Sequence, residues 1–103
     1  MEHTIMTKEH KDILDKNRDK LIENMEMRKL WNCLRSKGII TKSDEEHFKS
    51  SGEGLPAKEK FLDFLTTRPD KDFNEFCKCL TETEQGHLAK ILQGTETKFP
   101  VYV

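Results

Sequence analysis

The sequence predicts an all-α fold, a six-helix antiparallel bundle. Apolar residues recur at helical intervals in nearly every segment, and no stretch alternates apolar and polar residues between hairpin turns. Leu, Ile, Val and Phe together make 24 of the 103 residues, above the roughly 20% that is typical of disordered chains, and the formal net charge is -1. We therefore expect one small, very polar folded domain.

The first predicted helix begins after Thr7, whose hydroxyl can cap it, and runs to about Met25. Glu9 lies in its first turn, where a carboxylate interacts favourably with the helix dipole. The positions expected to face the core repeat at helical spacing, and they are Ile13, Leu14, Leu21, Ile22 and Met25.

The second helix, about Glu26 to Lys37, has the clearest pattern. Apolar residues fall at i, i+3, i+4 and i+7, and they are Met27, Leu30, Trp31 and Leu34. This stripe favours a core position for Trp31 over an exposed binding anchor. Gly38 then supplies a left-handed cap at the end of the helix.

A short third helix is predicted to end at about Ser50, with Phe48 as its main core residue. Thr41 or Ser43 can cap its start, because each is followed three positions later by an acidic residue, which is the spacing of a capping box. The sequence does not decide between the two caps.

The fourth helix runs from about Pro56, a residue suited to the first turn of a helix, to about Thr67. The fifth runs from about Asp70 to Leu80 and again shows the i, i+3, i+4, i+7 spacing. The residues expected to face inward in the two helices are Phe61, Leu62, Leu65, Phe73, Phe76, Cys77 and Leu80.

Thr81 and Glu84 have the spacing of a capping box before a sixth helix, and Gly94 is a natural stop for it. Its residues expected to face the core are Leu88, Ile91 and Leu92. These bounds predict a domain over Met1 to Gly94 and a tail over Thr95 to Val103.

Several function classes lack support in the sequence. The near-zero net charge disfavours nucleic acid as a partner, and no apolar run approaches the roughly 18 residues of a membrane-spanning helix, so we expect neither nucleic acid nor membrane binding. The glycines form no phosphate-binding loop, and no nucleophile stands in an evident constellation with a base. We therefore expect no enzyme activity and no cofactor. The first residues have no apolar signal core, which predicts a cytoplasmic protein.

The three cysteines form an odd set, which is typical of a reduced compartment. We expect Cys33 and Cys77 to be small core residues and Cys79 to be a partly exposed thiol. The alternative is a small zinc-binding or redox protein that uses Cys77, Cys79 and His87, although the C-x2-C spacing of zinc sites is missing.

Two groups of charged residues stand out. The basic group is Lys16, Arg18, Lys20, Lys58 and Lys60, and the acidic group is Asp44, Glu45 and Glu46. One interpretation is a solvated surface with carboxylates well placed at a helix start. The other is a pair of opposite patches by which one copy docks against another.

Three segments, in order, resemble the caspase recruitment domain, a six-helix member of the death-fold superfamily. They are LWNCLRSKGIIT (30–41), FLDFL (61–65) with Arg68 and Pro69, and FNEFCKCL (73–80) with HLAKIL (87–92). They are similar to the second helix and its glycine turn, the fourth helix and the turn after it, and the last two helices of that family. The resemblance covers about Lys8 to Gly94.

The resemblance implies a non-catalytic adaptor that binds domains of its own kind in apoptotic or inflammatory signalling, including innate immunity, to recruit or regulate a caspase. The implied partner is another caspase recruitment domain, carried by an initiator caspase, an apoptosome scaffold or an immune adaptor, or a further copy of this chain in a homo-oligomer. Members commonly pair a basic face on helices one and four with an acidic face on helices two and three. Glu59, Asn32 and Lys37 depart from that pattern, which leaves open the face that dominates.

Overall fold

Seven helices make up the part of the chain that the computed structural model describes, which is residues 6–50, 52 and 54–96, and that part contains no strand. They are α1 (Lys8–Lys16), α2 (Arg18–Asn24), α3 (Met27–Ser36), α4 (Lys42–Lys49), α5 (Leu55–Leu65), α6 (Asp70–Glu82) and α7 (Gly86–Glu96). The all-α prediction is therefore confirmed, with one helix more than the sequence predicted.

The additional helix arises because the first predicted helix is broken at Asn17 into α1 and α2. The side chain of Asn17 is buried, and its Nδ2 donates a 2.8 Å hydrogen bond to the carbonyl of Ile13. An amide side chain that bonds to a backbone carbonyl competes with the helix ladder, and the backbone of Asn17, with φ -105° and ψ 11°, departs from the helical conformation here. The prediction of one continuous helix was wrong because Leu14 and Leu21 keep the helical period on both sides of the break.

The boundary between the last two helices also differs from the prediction. α6 continues through Thr81, whose hydroxyl donates to the carbonyl of Cys77 at 3.2 Å, so the predicted capping box of Thr81 and Glu84 does not form. Glu84 instead adopts a left-handed conformation (φ 68°), and the amide of Gln85 donates to the carbonyl of Leu80 at 2.7 Å. The sharp turn between α6 and α7 is thus made without glycine.

Gly94 does not end the last helix, since α7 continues through it to Glu96. A single glycine inside a helix costs only about 1 kcal/mol relative to alanine, which is too little to force a stop. Residues 97–103 lie outside the described part, so the predicted boundary between domain and tail remains a prediction.

Other predicted helix ends are confirmed. The amide of Asp44 donates to Thr41 Oγ1 at 3.0 Å and the amide of Thr41 to Asp44 Oδ2 at 2.9 Å, so Thr41 rather than Ser43 caps α4. Gly38 has φ 78°, and the next amide, that of Ile39, donates to the carbonyl of Leu34 at 3.0 Å. These bonds satisfy backbone groups that a helix end leaves without partners.

A cluster of aromatic rings in the core joins α3, α4, α5 and α6. α6 packs against both α3 and α7, α4 packs against α5, and α1 packs against α7. The rings of Phe61 and Phe76 are fully buried with centroids 5.5 Å apart, and Trp31, 4% exposed, stacks on Phe48 at 6.2 Å. Trp31 is therefore a core residue, as its place in the stripe of α3 predicts.

Candidate protein-interaction surface

Arg18, a residue of the predicted basic group, joins α2 to α5. Its Nη1 lies 3.1 Å from Asp63 Oδ1, and its Nη2 donates to the carbonyl of Glu59 at 3.5 Å. The side chain of Arg18 is 31% exposed, whereas that of Asp63 is 72% exposed. The guanidinium therefore holds two helices together and still reaches the surface.

The other four cations of the basic group fall into two classes. Lys58 is half-buried, and its ammonium donates to the carbonyl of Ile22 near the end of α2, where a cation also interacts favourably with the helix dipole. Lys60 is half-buried as well. Lys16 and Lys20, in contrast, are exposed. Lys16 and Lys20 are therefore the most exposed cations of the group. Together with Arg18, which lies between them in the sequence and reaches the surface, we call them the α1–α2 cations.

Exposed carboxylates accompany these cations along the same helices. They are Asp15, Asp19 and Glu23 on α1 and α2, and Glu59 and Asp63 on α5. The surface that the family pattern implies to be basic is thus of mixed sign, with acidic and basic side chains alternating along it. The sequence showed Glu59 as an interruption, but it did not show that Asp63 lies beside Arg18.

The three residues of the predicted acidic group have different surroundings. Asp44 is half-buried, and its carboxylate accepts from the amide of Thr41 in the capping box of α4. The side chain of Glu45 is 13% exposed, and its Oε1 lies 2.9 Å from Arg35 Nε and its Oε2 2.7 Å from Lys49 Nζ. The contact with Arg35 is an ion pair without a hydrogen bond from Nε. Glu46 is exposed. Within this group, Glu46 alone presents a well-exposed carboxylate.

Helix α3 corresponds to the second helix of the family pattern, which is implied to be part of the acidic face. It carries no carboxylate and instead exposes Arg28, Lys29 and Asn32. Arg28 and Lys29 help to line a surface cavity of about 510 Å³ together with Trp31 and Lys58. Sequence reasoning missed this cavity because it lies between the start of α3 and the start of α5, which are distant in the sequence.

The cysteines are placed differently from the prediction. Cys79 is fully buried and Cys33 is half-buried, so the expected assignments of these two were reversed, while Cys77 is buried as expected. Cys33 Sγ donates to Glu82 Oε1 at 3.4 Å. Burial raises the pKa of the Cys33 thiol and raises that of the Cys79 thiol strongly. Raised pKa values disfavour the thiolate, which is the form a cysteine nucleophile needs.

The zinc alternative finds no support in the arrangement of side chains. Among the residues that the structure describes, no group of three or more His, Cys, Asp or Glu is placed to hold a metal ion. Cys77 and Cys79 are buried in α6, and His87 is exposed on α7.

No helix within residues 6–50, 52 and 54–96 is both long and apolar enough to cross a membrane.

Comparisons with known proteins agree with the fold. The family described as "Caspase recruitment domain" matches residues 11–95. Caspase-2 of Gallus gallus is 32% identical over 92 residues, which cover 89% of this chain and 22% of caspase-2. The chain therefore spans about a fifth of the length of that relative. The match begins within α1 and ends within α7, and it includes α2 to α6 in full. The chain belongs to the caspase recruitment domain family, a family of protein-interaction domains.

Proposed function

We propose that the chain binds other caspase recruitment domains and thereby recruits or regulates a caspase in apoptotic or inflammatory signalling. The observation that carries this proposal is the family match over residues 11–95. The mixed-sign surface of α1, α2 and α5 supports it, because such a surface is suited to a partner with complementary alternation of charge. The partner is an initiator caspase, a scaffold, an adaptor or a second copy of this chain.

The α1–α2 cations form one half of the proposed contact, and the exposed Glu46 of a partner copy contributes to the other half. Exposed ion pairs each contribute only about 0 to 1 kcal/mol and are weakened by salt. A single contact of this kind is weak, and clustering of several copies raises its apparent affinity. We accordingly expect association that depends strongly on concentration and on ionic strength.

The test uses two probes: a second, differently tagged copy of the chain, and the segment of Gallus gallus caspase-2 that the chain matches. The variant Lys16→Glu with Lys20→Glu reverses two exposed charges and leaves the bond between α2 and α5 in place. We expect at least about a tenfold loss of affinity for one of the probes, equivalent to about 1.4 kcal/mol. Lys90→Glu, a reversal of an exposed lysine on α7, is the matched control and should bind as the original chain does.

A second variant separates docking from folding at Arg18. Exchanging the two charges, Arg18→Glu with Asp63→Arg, keeps an ion pair between α2 and α5 but reverses the sign at both surface positions. We expect the helical circular dichroism to be retained and binding to be lost. Unchanged binding by both variants at low salt would reject the α1–α2 cations as the contact. Failure of the original chain to bind itself or any recruitment domain would reject the proposed function.

A further inference from the structure

Two cysteines lie on neighbouring sides of α3 and α6, which pack against each other. Cys33 is on α3, and its thiol donates to Glu82 Oε1 at 3.4 Å; Glu82 lies one turn from Cys79 on the same side of α6. Cys79 is 0% exposed, whereas Cys33 is half-buried. A small reagent can therefore reach Cys33, while Cys79 is closed to solvent.

We propose that Cys33 and Cys79 are a reversible modification site, at which a hydroperoxide forms a disulfide that joins α3 to α6. The inference does not depend on the proposed function. It rests on the bond that places Cys33 against the side of α6 that carries Cys79, on the difference in exposure of the two cysteines, and on the packing of α3 against α6. The third cysteine, Cys77, is buried two positions from Cys79 in α6 and is not part of the proposed site.

The reaction has two steps. The Cys33 sulfur attacks one oxygen of hydrogen peroxide, so that an S–O bond forms and the O–O bond breaks; the thiol proton and the departing hydroxide leave as water. The Cys79 sulfur then attacks the Cys33 sulfenic acid, so that the S–S bond forms, the S–O bond breaks and a second water leaves. One peroxide is reduced to two waters, and two thiols are oxidised to one disulfide.

Two charged side chains lie beside Cys33 and act on its thiol in opposite directions. The Cys33 thiol donates to Glu82 Oε1 at 3.4 Å, and this negative carboxylate raises the pKa of the thiol. The ammonium of Lys37 lies 3.4 Å from Glu82 Oε2, and its positive charge favours the thiolate of Cys33. Hydrogen bonds from Cys33 and Lys37 lower the pKa of Glu82, which keeps this carboxyl ionised.

Burial also raises the pKa of the Cys33 thiol and that of the Cys79 thiol, so both cysteines are thiols at neutral pH. The attacking form is the thiolate, and the rate of cross-linking should therefore rise with pH. A disulfide between α3 and α6 would close a long loop in the unfolded chain, so the oxidised protein should melt at a higher temperature.

The experiment treats the full chain with hydrogen peroxide, blocks the remaining thiols with an alkylating reagent, and maps the cross-linked peptides by mass spectrometry. We expect a monomer with one Cys33–Cys79 disulfide, a higher melting temperature, and reversal of both by dithiothreitol. Cys33→Ser should abolish the cross-link, and Cys77→Ser, the matched control, should retain it.

The proposal would be overturned if peroxide left Cys33 as a sulfinic acid with Cys79 still alkylatable after unfolding, or if it linked two chains instead. It would be overturned equally by a cross-link that involved Cys77. Because the peptide map of the unsubstituted chain decides between these outcomes, the test stands even if a cysteine variant fails to fold.

Discussion

The turn between α5 and α6 depends on a charged pair, and its removal gives the sharpest test of the fold. Arg68 Nε lies 2.7 Å from Asp72 Oδ2, and the guanidinium lies 5.8 Å from the centre of the Phe64 ring. The side chain of Asp72 is only 4% exposed, while that of Arg68 is 37% exposed. Arg68→Ala would therefore leave a buried carboxylate without its cationic partner.

The size of the effect follows from these exposures. Breaking a fully buried ion pair by removing one partner costs about 3–5 kcal/mol, and an exposed pair contributes about 0–1 kcal/mol. Because Arg68 is more than one-third exposed, water can partly replace it, and we expect the free energy of unfolding to fall by about 2 kcal/mol. In a domain of this size, a loss of that magnitude lowers the melting temperature by roughly 10 °C.

Urea denaturation followed by far-ultraviolet circular dichroism would measure this loss, with Lys71→Ala, an exposed neighbour, as the matched control. A double-mutant cycle with Asp72→Asn isolates the coupling between the two side chains from the packing of Arg68 on Phe64. If the free energy of unfolding of Arg68→Ala lay within about 0.5 kcal/mol of that of the original chain, the pair would not stabilise the turn.

Two further predictions concern stability. Partial burial raises the pKa of Asp70, but hydrogen bonds from Thr7 and His10 outweigh this and hold the pKa below its ordinary value. The ionised Asp70 therefore stabilises the fold above its unfolded pKa of about 3.9, and this contribution is lost as the pH falls through the lower pKa of the folded state. We expect the difference in the free energy of unfolding between the original chain and Asp70→Asn, measured by urea titration, to shrink below about pH 4. Gly38→Ala should destabilise the fold by about 1 kcal/mol, because the φ of 78° is unfavourable for alanine; the added Cβ itself would meet no atom within 4 Å. Gly86 begins α7 without a positive φ, so Gly86→Ala should be neutral or stabilising in thermal melts.

The amphipathic stripes were enough to predict an all-α fold and many of the buried residues, because an apolar stripe marks the side of a helix that packs on the core. Leu30, Trp31 and Leu34 are all buried, as their spacing in α3 indicates. The break at Asn17 could not be predicted in this way, since apolar spacing continues across it and the decisive bond is a local one from a polar side chain.

The reversed assignment of two cysteines has a different cause. A helix that packs against one neighbour buries a narrow stripe of side chains, but α6 packs against both α3 and α7 and buries a wider one. The wider buried surface of α6 includes Cys79 in addition to the predicted Phe76, Cys77 and Leu80. Cys33 lies at the edge of the α3 stripe, where it remains half-buried. Which helices have two packed neighbours depends on tertiary contacts that local periodicity does not contain.

The charged residues of the candidate surface were identified in the sequence, but their partners were not. Arg18 and Asp63 are separated by 45 positions, so nothing local links them. Glu45 was grouped with Glu46 as an exposed acid, yet ion pairs with Arg35 and Lys49 bury it. A run of like charges in the sequence therefore overstates the charge that a partner meets.

The packing of α2 against α5 limits which charges of α2 face the solvent. Arg18 and Ile22, one turn apart, both contact α5, the first through Asp63 and the second through Lys58. That side of α2 is packed against α5, although the Arg18 side chain is still 31% exposed, and the remaining positions expose Asp19, Lys20 and Glu23. A partner that presented only carboxylates would be attracted by Lys20 and repelled by its acidic neighbours. For the proposed contact we therefore expect a complementary surface that alternates in sign as this one does, and a net charge of -1 is compatible with electrostatic recognition of that kind.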